Sequence, residues 1–174
     1  QTKRRWVEEA FVALETAGYT AGSGYTAVKD PSKSKFIYRD ALWGGADLLG
    51  LGVASFSHAA GVHYQNLTEI DDYTAAIKAG EMPTKRSFRT TEEQRMIREF
   101  ILRMKLGRVD AGHFGSKYGV DVLARWEDEL NELTEEGLLT VVGKDIVLER
   151  DGLLCVDNIL HDFFLPEHRT NKLV

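Results

Sequence analysis

Residues 47–66 read Asp47-Leu48-Leu49-Gly50-Leu51-Gly52-Val53-Ala54-Ser55-Phe56-Ser57-His58-Ala59-Ala60-Gly61-Val62-His63-Tyr64-Gln65-Asn66. The first eight are apolar on both alternating faces. That pattern predicts a strand buried on both sides, as in a parallel sheet covered by helices. Its glycines remove side chains where something else must approach closely. The polar residues that follow, His58, His63, Tyr64, Gln65 and Asn66, are broken by Gly61 and read as a loop.

Toward the N-terminus, Trp6, Val7, Ala10, Phe11, Ala13, Leu14 and Ala17 recur with helical period. Gly18 sits where a C-cap glycine belongs, so a helix is expected from about Lys3 to Ala17. Tyr19, Thr20, Tyr25, Thr26 and Val28 are β-formers interrupted by Gly22 and Gly24, which predicts a short irregular strand. Lys29 to Lys35 reads as an exposed loop. Toward the C-terminus, Asp72 to Ala79 reads as a helix closed by Gly80. A turn at Glu81-Met82-Pro83 then leads into Lys85-Arg86-Ser87-Phe88-Arg89, read as a basic linker and a domain boundary.

The second half has another rhythm. Thr91 with Gln94, or Thr90 with Glu93, makes a capping box before the stripe Met96, Ile97, Phe100, Ile101 and Met104. A short helix fits Ala111 to Tyr118. Asp121 caps a third helix from Val122 to Glu136. Leu138–Val142 and Ile146–Glu149 read as strands joined at Gly143-Lys144-Asp145. A final helix runs from Asp151 to Phe164, with Pro166 and a fraying tail beyond it. Helix, short helix, helix, hairpin, helix is a winged-helix-like order.

Composition bounds the rest. The chain has 174 residues, 43% of them hydrophobic, and a formal net charge of −5. Residues 1–89 carry 11 basic and 10 acidic side chains, and residues 90–174 carry 11 and 17. The acidic excess therefore lies in the winged-helix-like half. The helix that would enter a major groove holds Glu127, Asp128, Glu129, Glu132, Glu135 and Glu136 against Arg125 alone. DNA affinity needs cations on phosphates, so a packing or protein-docking role is expected there and nucleic acid is not. The one cysteine, Cys155, forms no internal disulfide, and no Cys/His spacing reads as a zinc site. No membrane-length apolar run occurs, and a reducing cytoplasm is the expected compartment. A start at Gln1 that leads directly into a helical pattern suggests part of a longer polypeptide.

Five segments, in order, are similar to the C-terminal half of the oxygen-independent coproporphyrinogen III oxidase-like radical-SAM enzymes. They are Gly50 to Ser57, His63-Tyr64-Gln65-Asn66, Asp72-Tyr73, Gly137-Leu138-Leu139 and Asp151-Gly152-Leu153-Leu154. The resemblance implies an N-terminal partial (β/α) barrel in which C-x-x-x-C-x-x-C holds a [4Fe-4S] cluster. That cluster cleaves S-adenosylmethionine to a 5′-deoxyadenosyl radical. In the best-known member the radical starts oxidative decarboxylation of porphyrinogen propionates. Relatives act as haem chaperones or radical methyltransferases. This chain has no C-x-x-x-C-x-x-C, so the cluster ligands, and the barrel half that carries them, are absent from it. By itself it is expected not to cleave S-adenosylmethionine and to hold no catalytic or metal-ligating residue.

Two candidate sites follow. Gly50, Gly52, Ala54 and Ser55 would leave bare backbone N–H and C=O groups at the C-terminal edge of a strand, where barrel enzymes place ligands. The resemblance points the same way, to the S-adenosylmethionine or substrate side. The alternative is that these glycines only permit tight packing. Phe56, His63, Tyr64 and Asn66 could contact a tetrapyrrole or other small-molecule substrate, and His58 or His63 could supply an axial haem ligand in a chaperone-like relative. A surface loop with capping roles is the alternative. Tyr19, Tyr25, Lys33, Lys35 and Arg39 could meet propionates or form a solvated charged loop.

The expected architecture is α/β and then mostly α. Residues 1–89 are read as the last strands and helices of a partial barrel, and residues 90–174 as a helical, winged-helix-like domain. An incomplete barrel would expose an unpaired sheet edge. The parent is expected to be a radical-SAM enzyme. A haem chaperone, a methyltransferase or a non-catalytic winged-helix interaction module are the alternatives.

Overall fold

The computed structural model describes residues 2–169. In chain order the main elements are α1 (Thr2–Thr16), β1 (Thr20–Ser23), β2 (Thr26–Val28), α2 (Ile37–Trp43), β3 (Phe56–Ala59), β4 (Val62–Asn66), α3 (Ile70–Lys78), β5 (Thr84–Arg89), α4 (Glu92–Met104), β6 (Arg108–Asp110), α5 (Ala111–Tyr118), α6 (Val122–Arg125), α7 (Glu127–Glu135), β7 (Leu139–Val142) and β8 (Asp145–Leu148). Short helical turns follow over Arg150–Leu154, Val156–Ile159, Leu160–Phe163 and Pro166–Arg169. The architecture is mixed α/β. By packing, Gly45–Arg95 forms one unit, and the residues up to Gly44 together with those from Met96 form the other.

The larger unit holds the core. The stripe read from the sequence as Met96, Ile97, Phe100 and Met104 is buried, and it packs with Phe114, Val122, Trp126, Leu130, Leu133, Leu139, Ile146 and Phe163. Phe100 is the centre of an aromatic cluster, with ring centroids 4.3 Å from Trp126, 5.1 Å from Phe163 and 5.5 Å from Phe114. Two helix starts are as the sequence predicts. Thr91 and Gln94 exchange the two capping-box hydrogen bonds, at 2.9 and 3.1 Å. Asp121 Oδ1 accepts from the backbone of Leu123 and Ala124. The Val142/Asp145 hairpin forms around Gly143, with Leu139↔Leu148 in register.

Several sequence expectations need correction. Every strand pair among the described residues is antiparallel, with sheet orders β1-β2, β3-β4-β5 and β6-β8-β7. Residues 47–54 are not a strand buried on both faces. Only Leu48 pairs, with His58, and Gly52 (φ +92°) and Ala54 (φ +58°) then turn the chain out of extended geometry. The supposed loop at His63–Asn66 is the strand β4. The supposed linker Lys85–Arg89 is β5, an edge strand whose charges concealed it. The helix expected over 122–136 breaks at Trp126 (φ −119°, ψ +36°), where the indole turns into the aromatic cluster. The last helix breaks at Cys155. β6 and α2 are too short to announce themselves by periodicity.

Gly152 shows why one of the family-like segments has its spelling. A Cβ there would collide with the backbone carbonyl of Leu138, so the turn over Arg150–Leu154 packs on Leu138 only because residue 152 has no side chain.

Candidate functional site

Within the unit Gly45–Arg95, three of the family-like segments converge. The turn at Ala60-Gly61, both with positive φ, closes the hairpin between β3 and β4 with Ala59 opposite Val62. β4 ends at Asn66. Asn66 is buried, and its Nδ2 donates to the carbonyl oxygens of Gly50 (3.1 Å) and Gly52 (2.9 Å). The Gly50 amide donates to Ser57 Oγ at 2.9 Å, and the Gly52 amide to the Tyr73 hydroxyl at 3.1 Å. Ser55 Oγ donates back to Leu51 O at 2.7 Å. Gln65 Nε2 donates to Ala54 O at 3.2 Å, and the Ala54 amide to Leu67 O at 2.8 Å.

The loop 50–55 is therefore held at nearly every residue by groups from β3, β4 and α3. This corrects the expectation of bare backbone at Gly50, Gly52, Ala54 and Ser55, because much of their backbone is already hydrogen-bonded. Gly50 has a packing reason as well, since a Cβ there would meet the carbonyl of Phe56. What the loop presents outward is apolar: Leu51 is 88% exposed, and Leu49 and Val53 are exposed beside it.

The other candidates divide by face. The registers Phe56↔Gln65, His58↔His63, Gln65↔Arg86 and His63↔Phe88 put Phe56, His58, His63, Gln65, Arg86 and Phe88 on one face of β3-β4-β5. Ser57, Tyr64 and Ser87 lie on the other. His63 stacks on Phe56 with centroids 5.6 Å apart and planes 15° apart. The sequence did not single out Arg86 or Phe88 as site residues. Their strand was read as a linker, and only the register brings them beside Phe56 and His63.

The propionate candidates near β1 and β2 belong to the other unit. Arg39 is committed locally: its guanidinium pairs with Asp40, bonds Thr26 Oγ1 and lies 4.6 Å from the Phe36 ring centroid. Lys33 pairs with Asp30 at 3.1 Å, and Lys35 is exposed. Burial, and then a hydrogen bond to Asp157, push the Tyr25 hydroxyl above the ordinary phenol range.

The densest titratable cluster surrounds Glu99, whose side chain is 3% exposed. Its Oε1 accepts from Arg103 (2.8 Å) and His113 Nε2 (2.7 Å), and its Oε2 accepts from Lys117 (2.6 Å) and the Tyr118 hydroxyl (2.8 Å). Burial opposes ionisation, but these hydrogen bonds outweigh it and hold the carboxyl down at about 2. With every acceptor lobe engaged from α4 and α5, this is a structural network. Periodicity alone gave Glu99 no distinction.

Cys155 is buried, its Sγ donates to Asp151 O at 3.0 Å, and burial pushes the thiol up. One such cysteine does not fit an iron–sulfur cluster, and no group of three or more metal-ligating side chains occurs among the described residues. No helix among them is long and apolar enough to cross a membrane.

No family model matches this sequence. A curated relative, oxygen-independent coproporphyrinogen III oxidase of Pseudomonas aeruginosa, is 26% identical over 132 residues, covering 71% of this chain and 28% of the relative. The chain resembles oxygen-independent coproporphyrinogen III oxidase. The resemblance read from the five segments is borne out. Coproporphyrinogen III oxidase from Escherichia coli, described as a radical SAM enzyme, has a solved structure that matches with TM-score 0.68 at 20% identity, covering 90% of this chain and 39% of that one. That second likeness is one of fold. The chain thus spans well under half the length of either coproporphyrinogen III oxidase.

Proposed function

We propose that this chain is the C-terminal section of a radical-SAM protein acting on a tetrapyrrole, of the kind that oxidatively decarboxylates porphyrinogen propionates. The observation that carries the reading is the convergence of Gly50–Ser57, Asn66 and Tyr73 on one clamped loop, in a chain whose curated relative is a coproporphyrinogen III oxidase. In the parent, residues 1–89 complete a partial (β/α) barrel, and residues 90–174 follow it as a winged-helix-like domain. The acidic face of α7 turns phosphate away, so that domain packs rather than binds nucleic acid.

When bound in the parent, S-adenosylmethionine and a [4Fe-4S] cluster supply the radical that begins the reaction. The cluster is carried by residues outside this chain, which is inactive alone. This chain contributes the fixed loop 50–55, whose Leu51 side chain faces outward, and the neighbouring sheet that carries Phe56, His63 and Tyr64.

The test uses the full-length polypeptide, reconstituted with iron and sulfide without oxygen and supplied with a low-potential reductant for the cluster and an electron acceptor for the substrate radical. The reading predicts 5′-deoxyadenosine and carbon dioxide from S-adenosylmethionine and coproporphyrinogen III, and neither from residues 1–174 alone. A full-length polypeptide that lacks C-x-x-x-C-x-x-C, or that releases no carbon dioxide with its cluster intact, overturns it.

A further inference from the structure

The face of β3-β4-β5 that carries Phe56, His63 and Phe88 is open. Phe56 is 47% exposed and Phe88 is 55% exposed, and the two flank His63 across the strands. A shallow depression of about 310 Å³ lies among Phe56, His63, Gln65, Arg86 and Phe88. Exposed rings at adjacent register positions cost hydrophobic free energy, and soluble proteins rarely keep such patches without a use for them.

The patch also has a charge. Arg86 Nε donates to Gln65 Oε1 at 2.8 Å, and no carboxylate among the described residues lies within ion-pair distance of its guanidinium. Gln65 is the residue whose other end, Nε2, donates to the loop at Ala54 O. One amide therefore orients the guanidinium and ties it to the clamped loop. Its terminal nitrogens keep the fork that matches a carboxylate.

We infer that this face binds one pyrrole edge of a tetrapyrrole carboxylate. The ring lies against Phe56, His63 and Phe88, and a carboxylate-bearing arm sits on Arg86. The depression holds a ring and its arm, not a whole macrocycle, so the remainder of the ligand extends beyond the sheet. The inference rests on the tetrapyrrole reading above and adds to it Arg86 and Phe88 and the charge they select. A single-stranded nucleic acid would also favour stacked rings, but Gly45–Arg95 carries 7 acidic against 5 basic side chains, which disfavours a polyphosphate.

The test needs neither cluster nor S-adenosylmethionine, so its failure is separable from that of the radical-enzyme reading. Coproporphyrin III, the stable oxidised stand-in, is titrated into the full-length polypeptide purified without its cluster, and followed by its visible absorption band. Its tetramethyl ester, which keeps the ring and lacks the carboxylates, is titrated in parallel. Saturable binding of the acid is expected. Arg86→Gln should weaken it about tenfold, the loss expected for one charge-assisted contact, and leave the ester unchanged. Phe88→Ala should weaken both ligands. Arg89→Gln removes the same charge on the opposite face and should change neither. Circular dichroism confirms that each variant is folded. Absence of saturable binding, or a loss with Arg89→Gln equal to that with Arg86→Gln, overturns the inference.

Discussion

Asn66 Nδ2 stands 3.1 Å from the Gly50 carbonyl oxygen and 2.9 Å from that of Gly52, so one buried amide fixes both glycines of a Gly-x-Gly turn from a neighbouring strand. The side chain at the end of β4 thus sets the shape of a loop fourteen residues earlier in the chain.

Asn66→Ala should leave two carbonyls without their donor and open a small cavity. A loss of about 2–4 kcal/mol is expected from unsatisfied buried polar groups. Urea unfolding followed by hydrogen exchange at residues 50–57 measures it. A shift under about 0.5 kcal/mol with unchanged exchange means that the clamp does not hold the loop.

Glu99→Gln removes a carboxylate whose pKa is held at about 2, below the ordinary carboxylate value. A depressed carboxyl contributes stability that is full above its unfolded value and is lost as pH falls toward its folded value. Wild type should therefore exceed Glu99→Gln by on the order of 3 kcal/mol above about pH 5, and the gap should shrink as pH falls toward 2. Unfolding curves across that range decide it. A pH-independent gap counts against ionisation as the cause.

Gly152→Ala should cost more than about 2 kcal/mol, because its Cβ meets the Leu138 backbone, which has no rotamer to move aside. Gly115, inside α5, meets nothing within 4 Å of a built Cβ. Gly115→Ala should instead stabilise by roughly 0.5–1 kcal/mol. Thermal melts of the two variants should move in opposite directions.

Thr91→Ala breaks one half of the capping box with Gln94 and should cost about 1 kcal/mol. Thr91→Ser should restore most of it. Equal melts for all three proteins would show that the cap contributes nothing.

The sequence was legible where one local rule decided the outcome. The stripe Met96–Met104, the Thr91 box, the Asp121 cap and the hairpin at Gly143 all depend on neighbours within a few residues. It misled where partners were remote. Residues 47–54 alternate apolar side chains as a buried strand does, but Gly52 and Ala54 take positive φ because Asn66, Ser57 and Tyr73 capture the backbone from elsewhere. Lys85–Arg89 has a linker's composition and a strand's pairing, since an edge strand tolerates charge that a central one does not. Of the candidate site, Phe56 and His63 were nameable from the sequence. Arg86 and Phe88 became visible only through the register that places Phe88 opposite His63.

The Glu99 network also constrains how this sequence can drift. Arg103, His113, Lys117 and Tyr118 all close on one carboxylate, so replacing Glu99 alone strands several donors in a half-buried site. Changes at these five positions should be strongly non-additive. A lineage can leave this arrangement only by altering several of them together, or by passing through weakened intermediates. α4 and α5 are thereby bound to a shared history as well as to each other.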